Sequence, residues 1–298
     1  MDTGTATGLT FSIIIPTYNR AEKLRKCLES IVKQTYQNFE VLVCDDGSRD
    51  NSKEVVDLFR DSLNIKYFYN DNWGGPAYPR NVGIENAAAP WLCFLDSDDS
   101  WYPQKLERVK EQLDAYDLIC HDFDVEGKIT YRSRLKTRQF GKDVFRTLMT
   151  KGNSIVTSSV CVRKEVFREM KGFSLEKELI AVEDFDLWLR MAQKGYRFGV
   201  ISESMGAYWT GDGNITGVND KQIARIRAVF GRHMHELPAG SVAYAQSLGF
   251  QYYLTGRIKH KMCEFREAIK LYTKAIAKGA PVIKFNACCH LLIAMIRK

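Results

Sequence analysis

Three carboxylates fall within four positions, Asp96, Asp98 and Asp99, with Ser97 between the first two, at the end of the apolar run Trp91–Leu95. An apolar run of that length bounded by polar residues suits a buried strand. The acids then lie at a strand's C-terminal end, where open α/β sheets take ligands. Like charges this close raise one another's pKa unless a cation neutralises them. A hard divalent ion such as Mg2+ or Mn2+ meets that need with oxygen ligands, and one held by few carboxylates completes its shell with substrate phosphates. The plainer alternative for an isolated Asp-x-Asp is a solvated acidic turn, with Asp96 or Ser97 capping a helix that starts near Pro103. Two further acidic pairs occur. Asp45-Asp46 follows the run Phe39–Cys44, and Glu183-Asp184 opens an amphipathic stretch reaching Gln193, whose positive N-terminal end favours an ionised carboxylate. Each pair has a bland reading as well: turn chemistry before a helix for the first, complementing a helix N-terminus for the second.

The elements that must position these groups alternate. Phe11–Ile15 reads as a β-branched strand stopped by Pro16, and Ala21–Lys33 as a helix with Leu24, Cys27, Leu28 and Ile31 at helical spacing. Strand Phe39–Cys44, helix Asn51–Arg60 capped by Ser48 or Asp50, strand Ile65–Tyr69, helix Ala77–Asn86 and strand Trp91–Leu95 follow. Such alternation implies parallel pairing through right-handed crossovers, an α/β doubly wound sheet. Each strand ends in a polar cluster, at 16–20, 45–48, 70–72 and 96–99, and in a parallel sheet those ends share one edge. There is no Gly-x-Gly-x-x-Gly after the first strand and no phosphate loop of the Gly-Lys-Ser/Thr kind.

Beyond residue 105 the pattern loosens. Leu118–Phe123 and Ser158–Val162 read as strands, Lys142–Met149 and Glu183–Gln193 as helices, and Ser202–Asn219 as an irregular stretch. From Pro238 only helices are expected. Gly256, Ala268, Tyr272 and Ala275 fall at the offsets of one tetratricopeptide repeat with Tyr252 near its start, and Val282–Lys298 is apolar on most faces. The chain is thus divided into a short disordered segment at 1–10, an α/β domain at 11–236 with halves 11–105 and 106–236, and a helical extension at 237–298.

The chain's 298 residues suffice for a large core, and its net charge of +7 is spread with local thickening at Arg132–Lys142 and Arg257–Lys270. Its eight cysteines form no Cys-x-x-Cys pair and mostly lie in apolar runs, so buried thiols in a reducing compartment are expected rather than disulfides. With no signal peptide and no apolar run of about 18 residues, the expectation is a cytoplasmic protein.

Taken together, Phe11–Arg20 (FSIIIPTYNR), Val41–Ser48 (VLVCDDGS), Pro79–Gly83 (PRNVG), Trp91–Asp99 (WLCFLDSDD) and Val182–Arg190 (VEDFDLWLR) resemble glycosyltransferase family 2 over roughly residues 11–210. The resemblance implies a GT-A fold and an inverting, nucleotide-sugar-dependent enzyme using Mn2+ or Mg2+. Pro16 and Tyr18 would wall the base and ribose. Asp46, with Asp45 beside it, would accept from the nucleobase, and a carboxylate that takes the imide N–H of uracil favours a UDP-sugar. Arg80 would be the basic residue on the donor side, Asp98 the direct metal ligand, and Asp96 a secondary one near the ribose, with Ser97 in the same sugar-nucleotide set. Asp99 would be structural. In the family the Asp of such a Glu-Asp pair is the base, so Asp184 is expected to deprotonate the acceptor hydroxyl, with Glu183 as the alternative or an acceptor contact. Trp188 is read as core. Where many relatives carry a His, Gly211 stands here, which leaves Asp212 or Trp209 some other role and fits a mobile loop.

The expected reaction moves a hexose or N-acetylhexosamine from a UDP-sugar to a hydroxyl of a glycan acceptor, forming a β-linkage. The acceptor would be a bacterial surface glycan or one linked to polyprenyl diphosphate. Peripheral contact with an anionic inner membrane is expected, and no nucleic-acid partner. For the terminal helix, packing on the helical pair is the competing expectation. A nucleotidyltransferase would need a Gly-rich basic loop after the first strand, which Pro16–Arg20 is not; a catalytically silent nucleotide-sugar-binding scaffold is the other alternative.

Overall fold

A computed structural model describes residues 8–127, 133–211 and 217–296. Most of the segment expected to be disordered, Arg132 of the basic stretch, Asp212, and the terminal Arg297 and Lys298 lie outside the described residues. The chain forms two units, Met1–Phe140 with Ser154–Ser174 and Lys194–Gly213, and Gly141–Asn153 with Leu175–Gln193 and Asn214–Lys298. Element numbers run in chain order through both.

The first unit holds β1 (Phe11–Thr17), α1 (Ala21–Val32), β2 (Phe39–Asp45), α2 (Ser52–Asp57), β3 (Ile65–Tyr69), α3 (Ala77–Asn86), β4 (Trp91–Phe94), β5 (Ser100–Trp101), α4 (Lys105–Lys110), β6 (Leu118–Gly127), β7 (Arg134–Leu135), β8 (Cys161–Arg163), α6 (Lys164–Met170) and β9 (Phe198–Thr210). One sheet runs β3-β2-β1-β4-β8-β6-β9-β5, with β7 on β6. The first four strands are parallel, and Ile13 of β1 lies between Val41 and Cys93. β8 is antiparallel to β4 and β6. The inner positions of β1 and β2 are fully buried because helices cover both faces, which explains their unbroken β-branched composition. At Gly83 of α3 a Cβ would stand 2.5 Å from Ile14 Cγ2, so the missing side chain lets the helix lie directly on β1.

Three expectations are corrected. β1 continues through Pro16 to Thr17, because β4 pairs only as far as Ile14 and the missing N–H costs no ladder bond on that side. The stretch from Ser202, expected to be irregular, is strand to Thr210 and pairs in parallel with β6 through two register shifts. Cys93 and Cys161, expected as thiols, form a disulfide, since β4 and β8 set them directly opposite with Cα atoms 4.2 Å apart. Cys27, Cys44 and Cys120 are free and buried.

The second unit contains α5 (Val144–Lys151), α7 (Glu183–Gln193), α8 (Asp220–His233), α9 (Val242–Lys261), α10 (Phe265–Lys278) and α11 (Pro281–Ile296). Ala268, Tyr272 and Ala275 are fully buried, and Gly256 lets the Tyr272 ring approach to where a Cβ would be 2.9 Å away, so the expected helical pair is α9–α10. No helix among the described residues is long and apolar enough to cross a membrane.

Candidate active site

The C-terminal edge of the parallel strands is built from turns that hold one another. After β1, Asn19 takes a left-handed backbone (φ 50°), its N–H donates to Ser48 Oγ at 2.8 Å, and its side chain accepts from Arg49 N at 2.7 Å. Asp50 accepts from Ala21 N at 2.9 Å, so it anchors the start of α1 as well as the Ser52 hydroxyl of α2. Tyr18 is 47% exposed at this edge, while Pro16 is buried within β1. The Thr17 hydroxyl is buried without a hydrogen-bond partner among the described residues.

Asp45 is fully buried. Its carboxylate accepts from Ser48 N and the Tyr67 hydroxyl, both at 2.7 Å, so its oxygens close the turn after β2. Asp46 accepts from Trp73 N at 2.8 Å and Gly74 N at 3.0 Å, fixing the loop after β3, whose Trp73 ring stacks on Tyr78. Burial raises its pKa above the ordinary carboxylate value, although the amides of Trp73, Gly74 and Gly75 pull it back. Gly47 (φ 89°) makes this arrangement accessible: a Cβ there would meet Asn72 N at 3.0 Å.

The cluster after β4 is neutralised by full charges. Arg20 Nη1 lies 2.7 Å and Lys23 Nζ 3.9 Å from Asp98 Oδ2, and Arg80 Nη2 lies 2.6 Å from Asp96 Oδ1. Arg80 is only 3% exposed and its guanidinium stands 5.4 Å from the Phe173 ring centroid. Burial raises the Asp98 pKa and Asp96 adds to the shift, while Arg20 and Lys23 oppose it. Asp99 accepts from the Ser158 hydroxyl at 2.5 Å and Trp209 N at 2.9 Å, and burial with its two acidic neighbours pushes its carboxyl well up. It therefore pins the turn to β9, the structural role expected of it. Ser97 is 2% exposed, so its hydroxyl reaches a ligand only if the turn opens.

No group of three or more His, Cys, Asp or Glu among the described residues could hold a metal by itself. Asp96, with its carboxylate one-third exposed, and Asp98 offer oxygen donors only. A hard divalent ion here would take at most those two carboxylates and fill its shell from a bound phosphate, the way Mg2+ and Mn2+ are commonly held, and the residues fit it.

Sequence reasoning left Arg20 and Lys23 without roles and gave Trp209 only an unspecified one. Lys23 Nζ stands 5.1 Å from the Trp209 ring centroid, beside the acidic turn. The missed signal was electrostatic: Arg20 at the N-cap of α1 and Lys23 in its first turn sit at the positive end of the helix dipole, where a facing carboxylate is favoured.

In the second unit, Glu183 and Asp184 form the first turn of α7, with Glu183 buried and Asp184 accepting from Phe185 N at 2.6 Å. The helix is fixed by Asp186, fully buried, whose Oδ1 lies 3.0 Å from His233 Nε2 and whose Oδ2 lies 2.8 Å from Arg190 Nε. Trp188 is fully buried core.

Comparison with known proteins gives a consistent picture. A family model described as glycosyl transferase family 2 matches residues 12–171. An uncharacterized glycosyltransferase of Rickettsia conorii is 32% identical over 64% of this chain, which spans only about a third (32%) of that relative's length. The Escherichia coli UDP-Glc:alpha-D-GlcNAc-diphosphoundecaprenol beta-1,3-glucosyltransferase WfgD is 37% identical over 44% of this chain and 56% of its own. Among solved structures, S. aureus TarS 1–349 in complex with UDP-GlcNAc superposes with a TM-score of 0.58 at 20% identity, covering 91% of this chain and 89% of TarS. The mannosyltransferase PcManGT of Pyrobaculum calidifontis, in complex with GDP-Man and Mn2+, gives 0.62 at 16% identity over 97% and 81%.

Proposed function

The chain belongs to glycosyltransferase family 2, and from that premise we propose that it transfers a hexose or N-acetylhexosamine from a UDP-sugar to a glycan hydroxyl, with inversion to a β-linkage. The carrying observation is the acidic turn at the strand edge, flanked by Arg20, Lys23 and Arg80. That mixture of carboxylates and fixed cations suits a diphosphate leaving group: the cations stabilise the charge that develops as the anomeric bond breaks. When bound at Asp98 and Asp96, Mn2+ or Mg2+ would add Lewis-acid stabilisation of the same diphosphate. Asp46, Asp45, Tyr18 and Pro16 form the nucleotide end, with Asp46 ordering the loop against which the base lies. Asp184 takes the proton from the acceptor hydroxyl, and a single displacement opposite the leaving group inverts the anomeric centre. Glu183 contacts the acceptor. The name of WfgD and the UDP-GlcNAc complex of TarS support the uridine donor. WfgD's name alone supports an acceptor linked to polyprenyl diphosphate, which would bring the protein to the cytoplasmic face of a membrane.

Thermal-shift screening of nucleotide-sugars with Mn2+ tests the donor, since a cognate ligand stabilises by mass action. A UDP-sugar should shift the midpoint most, and a larger shift with purine nucleotide-sugars would overturn the choice. Asp184→Asn should abolish transfer while leaving UDP binding nearly intact; full activity would move the base elsewhere.

A further inference from the structure

We infer that α11 is an interfacial helix that lies on an anionic phospholipid surface. It packs on α9 and α10 through Ile283, Ala287 and Ala294, which are at most 4% exposed. At 3.6 residues per turn the opposite line carries Phe285, Leu292 and Ile296, and these are 70%, 63% and 86% exposed. Helices of a soluble protein normally put charge on that outward line. Within the described helix the only charged residue is Lys284, and none is acidic. A helix apolar on both sides needs two apolar contacts, and α9 with α10 supply one.

Charge decides the second. Residues 241–298 carry ten Lys and Arg against two acids, whereas residues 1–240 carry 33 against 34, so the net positive charge is concentrated in these helices rather than spread. The two acids are already engaged, Glu264 with Lys259 and Glu267 with Lys270, each at 2.8 Å. Arg257, Lys261, Arg266, Lys278 and Lys284 remain exposed. A second copy brought face to face would meet the same positive field and be repelled. An anionic leaflet takes both features together, as exposed apolar side chains enter the headgroup boundary and Lys and Arg hold the surface charge. The helix lies on the bilayer and does not span it. This contact needs no sugar chemistry, so its failure would leave the proposed reaction standing.

The test is co-sedimentation of the full chain with phosphatidylcholine vesicles, with and without phosphatidylglycerol, at low and high salt. Binding is expected only with phosphatidylglycerol and should weaken with salt. The triple variant Phe285→Ser, Leu292→Ser, Ile296→Ser should bind about tenfold or more weakly, given the loss of buried apolar area. These side chains are exposed, so its thermal midpoint and donor hydrolysis should match the parent. Lys278→Glu with Lys284→Glu should remove the lipid selectivity. Equal vesicle binding by the parent and triple variant would overturn the inference. So would a concentration-dependent dimer in sedimentation velocity that the triple variant loses.

Discussion

At the end of β2, Asp45 and Asp46 accept from backbone amides and a phenol; at the end of β4, Asp96 and Asp98 face two arginines and a lysine. The two acidic doublets share a sheet edge and look alike in sequence. Neutral donors placed by the turns themselves make the first pair part of the architecture, since removing it strands buried N–H and O–H groups. The second pair is held by side-chain cations instead of turn amides, so a diphosphate or a divalent ion that shares Arg20, Lys23 and Arg80 would not unravel a turn.

The strongest way to break this contrast is Asp98→Asn. Transfer should fall about a hundredfold or more, as when one electrostatic contact to a transition state is lost, with little change in thermal midpoint. A fold that melted earlier instead would make the second pair architectural too. Asp45→Ala should do the reverse and cost about 2–3 kcal/mol in urea unfolding, because the Ser48 amide and Tyr67 hydroxyl lose their acceptor. An unchanged urea midpoint with lost UDP affinity would reverse its assignment.

Asp186 in α7 calibrates the contrast from the other unit. Burial raises its carboxyl, but the His233 hydrogen bond and the charges of Arg190, His233 and Arg232 outweigh that and hold it below the ordinary value. Its ionised form is favoured in the fold, so its contribution is fully present above the ordinary carboxylate pKa and is lost as pH falls through the lowered value. Asp186→Asn should flatten the acid limb of a urea-midpoint against pH curve; an unaltered limb would show the network to be idle. The smallest effect expected is for Tyr67→Phe, about 1 kcal/mol in stability with UDP affinity unchanged by titration calorimetry.

The first four strands were legible because a buried parallel strand needs an unbroken apolar run, and each run had a polar stop. Their ends were legible as a common edge for the same reason. Pro16 misled because the penalty for a missing N–H depends on which neighbour strand is still present at that level. Ser202, Ser204 and Gly206 read as irregular, and only pairing of this segment with β6 and β5 makes it strand, Ser204 opposite Asp122 and Gly206 opposite Trp101. The Cys93–Cys161 bond rests on antiparallel register, which no local spacing encodes. Within the site the acids stood out by repetition and Arg80 by its motif, but Arg20, just before α1, and Lys23 within it lie far in sequence from the turn they neutralise.

The bare backbone at Gly83 carries this further. It lies one helical turn from Arg80, and a single methyl there would press on Ile14 at 2.5 Å. Backing α3 off the sheet would carry the guanidinium away from Asp96, so a core position without a side chain acts as the spacer that sets a charge separation. In directed evolution for new sugar donors, position 83 belongs among the first sites to leave untouched, although no ligand would ever meet it.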